Sequence, residues 1–123
     1  MTGRGEGRDS VKIVSWNVRF GGGAKRTSGI LEQLMRRSPD LIVLGEYQPK
    51  NSAQLLAGLR AAGWTEQAIP QPPEGYGGVA IVSKRPLEIV PPPPALSALE
   101  YRYLAVRVPS LDLSVRGVYG PLQ

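Results

Sequence analysis

Residues 11–18, Val-Lys-Ile-Val-Ser-Trp-Asn-Val, carry apolar side chains on both faces of one strand. Val11 and Ile13 point one way, and Val14, Trp16 and Val18 the other, because successive strand residues alternate sides. Such a segment reads as an interior strand covered above and below. Residues 40–46, Asp-Leu-Ile-Val-Leu-Gly-Glu, repeat the demand with a continuous apolar run that ends on a carboxylate. A chain of 123 residues has one small domain in which to supply that cover.

Helical patterns follow each of these runs. Ile30, Leu31, Leu34 and Met35 recur at helical spacing, with Thr27 or Ser28 as cap and Pro39 beyond the end. Asn51 or Ser52 can cap a second helix with the stripe Leu55, Leu56, Leu59 and Ala62, closed by a left-handed Gly63. A short strand over 64–69 precedes a loop dense in Pro and Gly. Strands over 79–84 and 87–90 come next, then the polyproline spacer 91–94. Residues 101–108 and 111–119 alternate and join at Pro109-Ser110 as a hairpin. The order is β-α-β-α-β and then strands only, so the fold class is α/β: a mixed sheet with two helices on one face. The other face of that sheet needs a second layer.

Composition removes whole classes of chemistry. There is no cysteine and no histidine, so thiol nucleophiles, imidazole acid–base catalysis and His- or Cys-ligated zinc are excluded. Any metal must be a hard cation held by oxygen. The formal charge is +5. In the polar start, residues 1–10, Arg4 and Arg8 balance Glu6 and Asp9, so the surplus belongs to residues 11–123. That start reads as a disordered tail without the apolar core of a signal peptide, and no run is long enough to span a membrane. The expected location is cytoplasmic, with no membrane partner. A basic chain rich in Arg suits a phosphate-bearing partner.

Three residues stand out as site candidates. Glu46 lies at the carboxyl end of an apolar strand, the edge where ligands of α/β sheets gather. Buried there, it needs a cation, an Arg or hydrogen-bond donors; the other reading is a Glu that opens a surface loop. Asn17 ends the first strand and can donate to a phosphate oxygen, or simply start a turn by bonding its own backbone. Tyr119 closes the last strand and can offer a phenol or serve as packing. Gly21-Gly22-Gly23 lacks the Lys-Ser/Thr of a phosphate loop. Arg36-Arg37 reads as a solvated helix end that suits the dipole, and Trp16 and Trp64 as core.

Four segments taken in order, Ser15-Trp16-Asn17-Val18, residues 39–46, residues 78–84 and Gly117-Val118-Tyr119-Gly120-Pro121, resemble the amino-terminal half of the endonuclease/exonuclease/phosphatase superfamily, the exonuclease III-like fold. The stretch Arg19 to Gly23 is similar to the bacterial nuclease-like branch. The resemblance implies half of a four-layer α/β sandwich spanning residues 11–123, with the carboxyl-terminal half absent. It further implies a metal-dependent phosphoric-ester hydrolase acting by in-line attack of water. Glu46 would hold Mg²⁺, or Mn²⁺, with Asn17 at the metal shell or the attacking water and Tyr119 on the phosphate. DNA is the favoured substrate among nucleic acids and other phosphate esters.

The sequence departs from the family pattern in several places. The family's Asp-x-Asn motif and closing Asp-His pair do not occur, Gly45 stands where Gln is usual, and Gly120 replaces a longer residue. Residues 1–123 are therefore expected to have little or no catalytic activity alone. The alternatives are a non-catalytic nucleic-acid or phosphate-binding module, or a fragment that self-associates, or joins a complementing second half, through an uncovered sheet face.

Overall fold

Strand β1 (Ile13–Asn17) runs parallel to β2 (Leu41–Tyr47), in register from Ile13 opposite Leu41 to Asn17 opposite Gly45. Parallel neighbours need a crossover, and helix α1 (Gly23–Arg37) provides it. The computed structural model describes residues 11–17, 23–69, 77–91 and 103–118. Helix α2 (Pro49–Ala61) leads to the short β3 (Glu66–Ala68), and β4 (Gly78–Ser83) inserts antiparallel between β3 and β2. The resulting order, β1-β2-β4-β3, is the mixed sheet expected from the sequence.

Both helices cover one face of this sheet. Ile42 and Leu44 of β2, with Ala80 and Val82 of β4, are buried against Ile30 and Leu34 of α1 and Leu55 and Leu59 of α2. Each of the Ile, Leu and Val side chains contributes about 1.5–3 kcal/mol by leaving water. The stripe read for α1 is wider than the face that packs. Ile30 and Leu34 are buried, whereas Met35 is 55% exposed, because a helix on a flat sheet buries only its nearest turn positions.

Helix starts differ from those expected. Helix α1 begins at Gly23, four residues before Thr27, which is buried inside the helix and does not cap it. Helix α2 is entered through Gln48 without a side-chain cap bond, and Pro49 takes the first helical position, where its missing N–H costs nothing. Asn51 and Ser52 therefore fall within the helix. Its other end is as expected. Gly63 adopts a φ of 121°, its N–H bonds the Arg60 carbonyl, and the Trp64 N–H reaches back to Leu59. This 6→1 and 5→2 pair satisfies carbonyls that the last turn would leave open.

The second layer comes from the chain itself. Strands β5 (Glu88–Val90), β6 (Tyr103–Val108) and β7 (Leu113–Val118) form an antiparallel sheet in sequence order. The β6–β7 hairpin turns through a 3₁₀ segment over Pro109–Leu111, with Asp112 left-handed at φ 49°. The turn is thus longer than the Pro-Ser pair suggested. Leu104, Val106, Val108 and Val115 of this sheet pack on Leu41, Ala68, Val79 and Ile81.

That cover stops short of β1. Rather than an interior strand, β1 is the edge of its sheet among the described residues. Val14 and Trp16 lean on the helix-side core, while Ile13 is 43% exposed and Ser15 and Asn17 are open to solvent. Among the described residues, the uncovered face expected of the sheet is accordingly reduced to the strip along β1. The terminal tail, the Gly-rich turn before Gly23, the Pro/Gly-rich loop at 70–76 and the polyproline spacer after Pro91 lie outside the described residues.

Candidate functional site

Strand β2 does not run straight to its end. Leu44 faces Ala80 and Tyr47 faces Gly78, so Gly45 and Glu46 together oppose the single residue Val79. Two residues against one make a β-bulge, a device that re-aims a side chain at a sheet edge. The extra residue is taken up by Glu46, whose φ is 55°. A left-handed backbone costs a non-glycine residue about 1–2 kcal/mol. The glycine sits one position too early to relieve it. Nor does space demand glycine at 45, since an added Cβ would meet nothing nearer than the Asn17 Cα at 4.0 Å.

The bulge leaves Glu46 half-buried at the carboxyl end of β2, and among the described residues no hydrogen bond or ion pair engages its carboxylate. Asn17 lies opposite Gly45 at the matching end of β1, one interstrand spacing of about 4.8 Å away. The two candidates are thus brought to one edge. Helix α2 begins three residues beyond Glu46 and has no acidic residue in its first turn, so the positive end of its dipole faces the same edge. Burial raises the phenol of Tyr47, the next residue, above its ordinary value of 10.0. It stays a neutral group beside the carboxylate.

Tyr119 lies outside the described residues. Gly117, two positions earlier, is described. Its backbone lies against Val79, the residue facing the bulge, and against Val43. Of the other sequence candidates, Arg36 pairs with Glu32 at 3.3 Å with both side chains well exposed. This is a solvated helix end of little energetic weight. Trp64 is buried core, its Nε1 donating to the Pro39 carbonyl at 2.9 Å, and Trp16 packs beside the same core. The conformation of Glu46 had one signal in the sequence, Gly45 inside a strand pattern, which marks a bulge.

Among the described residues no group of three or more acidic side chains converges. The donor set is one carboxylate and one amide. That set fits part of the shell of a hard cation that keeps several waters and takes the rest of its ligands from phosphate. It does not fit a closed all-protein cage. Among the described residues no helix is long and apolar enough to cross a membrane.

Comparison with known proteins bears on the fold. No curated protein matches the chain by sequence. Among solved structures, an endonuclease/exonuclease/phosphatase from Beutenbergia cavernae DSM 12333 is similar, with 20% identity and a TM-score of 0.55 over 87% of this chain and 37% of that one. ANGEL2, a 2′,3′-cyclic phosphatase, is similar at 17% identity and a TM-score of 0.53, over 78% of this chain and 35% of its own. The chain therefore spans just over a third of the length of each, and at these identities the likeness is one of fold. The model of the Endonuclease/Exonuclease/phosphatase family matches residues 14–115, most of the chain, and the chain belongs to that family.

Proposed function

We propose that this chain carries the metal-holding edge of a metal-dependent hydrolase of phosphate esters, with nucleic acid as the substrate class, and that residues 1–123 alone turn over little or no substrate. The observation that carries the reading is Glu46, a carboxylate kept in a strained left-handed backbone one residue after a glycine. Strain retained at a strand end points to a role for the side chain that needs it. Glu46 would bind Mg²⁺ or Mn²⁺ and Asn17 would orient a water or a phosphate oxygen beside it. The cation, when bound, supplies Lewis-acid stabilisation of charge on the phosphoryl oxygens. The dipole of α2 favours the same negative charge. The surplus of basic residues supports a polyanionic substrate met inside the cell.

Catalysis needs more than this edge. One carboxylate and one amide leave the attacking water without a base, and the sequence has no histidine to supply one. Purified 1–123 with Mg²⁺ or Mn²⁺ is therefore expected to cleave plasmid DNA, RNA and an aryl phosphodiester at close to the uncatalysed rate. Robust turnover abolished by Glu46→Ala would overturn that expectation. Metal binding is tested separately by Mn²⁺ paramagnetic resonance. Glu46→Gly should lose the bound signal and, by relieving the backbone, raise stability by about 1 kcal/mol. Unchanged Mn²⁺ binding in that variant would remove Glu46 from the site.

A second reading, an interaction fragment, is favoured by one observation, the exposed strip of Ile13 and Ser15 along β1. It predicts a dimer by light scattering that Ile13→Lys dissociates. A concentration-independent monomer would count against it.

A further inference from the structure

Part of the basic surplus lies away from the Glu46 edge. At the opposite edge of the four-stranded sheet, β1 and β2 start, β4 ends and both helices end. Lys12, Arg36, Arg37, Arg60, Lys84 and Arg85 gather there against Glu32, Asp40 and Glu66. Helix carboxyl ends attract cations, which accounts for Arg36, Arg37 and Arg60. The two lysines are arranged differently.

Lys12 and Lys84 are both exposed, yet each ammonium is held in place by uncharged groups. Lys12 Nζ donates to the Arg37 carbonyl at 2.7 Å. Lys84 Nζ donates to Ser38 Oγ at 2.6 Å and lies 4.9 Å from the centre of the Trp64 ring. Their backbones are tied to one residue: the Lys12 N–H donates to Asp40 Oδ2 at 3.0 Å and the Lys84 N–H to the Asp40 carbonyl at 3.2 Å. The three carboxylates are already engaged elsewhere. Glu32 pairs with Arg36, Asp40 faces Arg85 at 3.8 Å, and Glu66 accepts from the Thr65 hydroxyl at 3.3 Å. Among the described residues the ammonium groups are thus positioned without being neutralised, the arrangement that suits an external anion.

We infer that this edge is a docking surface for the phosphodiester backbone of nucleic acid, separate from the Glu46 edge. The cations span the edge from Lys12, before β1, to Arg60, whose Nη1 donates to the Thr65 carbonyl next to β3, three interstrand spacings or about 14 Å, which is longer than one phosphate group. A single small phosphate would leave most of that row unused. A lipid surface fits less well. Surface-bound segments seat apolar and aromatic side chains beside their cations, whereas Trp64 here is buried beneath Lys84. Length β2 separates the two edges by roughly 20 Å, at about 3.3 Å per residue. Nucleic acid held here is therefore tethered to the chain without filling the metal-holding edge.

The chain has four lysines, Lys12, Lys25, Lys50 and Lys84, which makes the surface testable without any variant. Lys25 and Lys50 lie in the first turns of α1 and α2, at the Glu46 edge. Residues 1–123 are acetylated under limiting reagent with and without a 20-nucleotide DNA strand, in EDTA, and each lysine is followed by mass spectrometry. Protection of Lys12 and Lys84 by several-fold, with Lys25 and Lys50 within two-fold, is the expected result. Protection of Lys25 and Lys50 alone would overturn the inference, as would no protection at oligonucleotide concentrations that shift the protein's mobility.

Fluorescence anisotropy adds the energetic side. Lys12→Gln with Lys84→Gln should weaken binding about tenfold and flatten the salt dependence by about 1.4, at about 0.7 per phosphate contact. An unchanged slope in a variant with an unchanged melt would sink the assignment, and so would binding to phosphatidylserine vesicles in place of the oligonucleotide. Because EDTA is present throughout, failure of the metal reading leaves these outcomes unaffected.

Discussion

Trp64→Ala is expected to lower unfolding free energy by about 3–5 kcal/mol, the range for deleting a large buried aromatic side chain. Trp64 is 2% exposed and lies in the helix-side core with Leu59, Ile42 and Val82. Three separate interactions are lost with it: core volume, the Nε1–H bond to the Pro39 carbonyl at 2.9 Å, and the ring beneath Lys84. The carbonyl belongs to the residue just before Asp40 and β2, so Trp64 ties the end of α2 to the start of the strand that carries Glu46. Trp64→Phe separates these effects. It keeps most of the buried area and leaves the Pro39 carbonyl unpaired, so a loss of about 1–3 kcal/mol is expected. Domains of this size have about 5–15 kcal/mol in total. The Ala variant should then melt on the order of 10 °C lower or fail to fold cooperatively. Urea titration followed by circular dichroism measures both variants. A loss under 1 kcal/mol for Trp64→Ala would mean that the 64–39 link does not hold the two elements together.

Much of this arrangement is legible in the residues. The buried positions Ile42, Leu44, Leu55 and Leu59 follow from period alone, and Gly63 follows from the helix it terminates. What escapes is the role of neighbours. Ile13 is apolar, but only the strand order tells that, among the described residues, β1 has a partner on one side and no layer over one face. A strand's own pattern reports which side chains avoid water, and the rest of the chain decides whether they succeed. The helix starts escape for a related reason. Thr27 and Ser52 look like caps, yet good helix formers and Pro49 upstream allow each helix to begin earlier, which leaves both hydroxyl residues buried inside. At the candidate site, the position of Glu46 is readable and Gly45 signals a bulge, but which residue turns left-handed is not readable, because that depends on the pairing with β4. Asn17 comes beside it through the parallel register that the α1 crossover imposes.

The packing of the two sheets rests on a glycine, and Gly117→Val tests it directly. A Cβ at 117 would lie 2.8 Å from Val79 Cγ2 and 3.1 Å from Val43 Cγ1, with Ile81 Cδ1 at 3.8 Å. Facing sheets normally stand about 10 Å apart, with interdigitating side chains between them; here β7 approaches without one. Adding a branched side chain at such a point forces rotamer or backbone shifts that cost about 1–3 kcal/mol, and the very short contact to Val79 places the valine variant at the upper end. The opposing tendency is small. Valine is favoured over glycine in strands by up to about 1 kcal/mol, so the steric cost prevails if the sheets are in contact. Val79→Ala should then restore part of the loss in the double variant, a coupling of about 0.5–3 kcal/mol. The sign of the single substitution discriminates between arrangements. If β5–β7 leave the face of β4 free, Gly117→Val stabilises through strand propensity and shows no coupling to Val79. The effect also reaches the site, because Val79 is the residue opposite the Gly45-Glu46 bulge. A shifted Val79 alters the pairing that holds Glu46 at its positive φ, so Gly117→Val should weaken Mn²⁺ binding as well as stability, while a substitution at the exposed Val118 next to it should change neither.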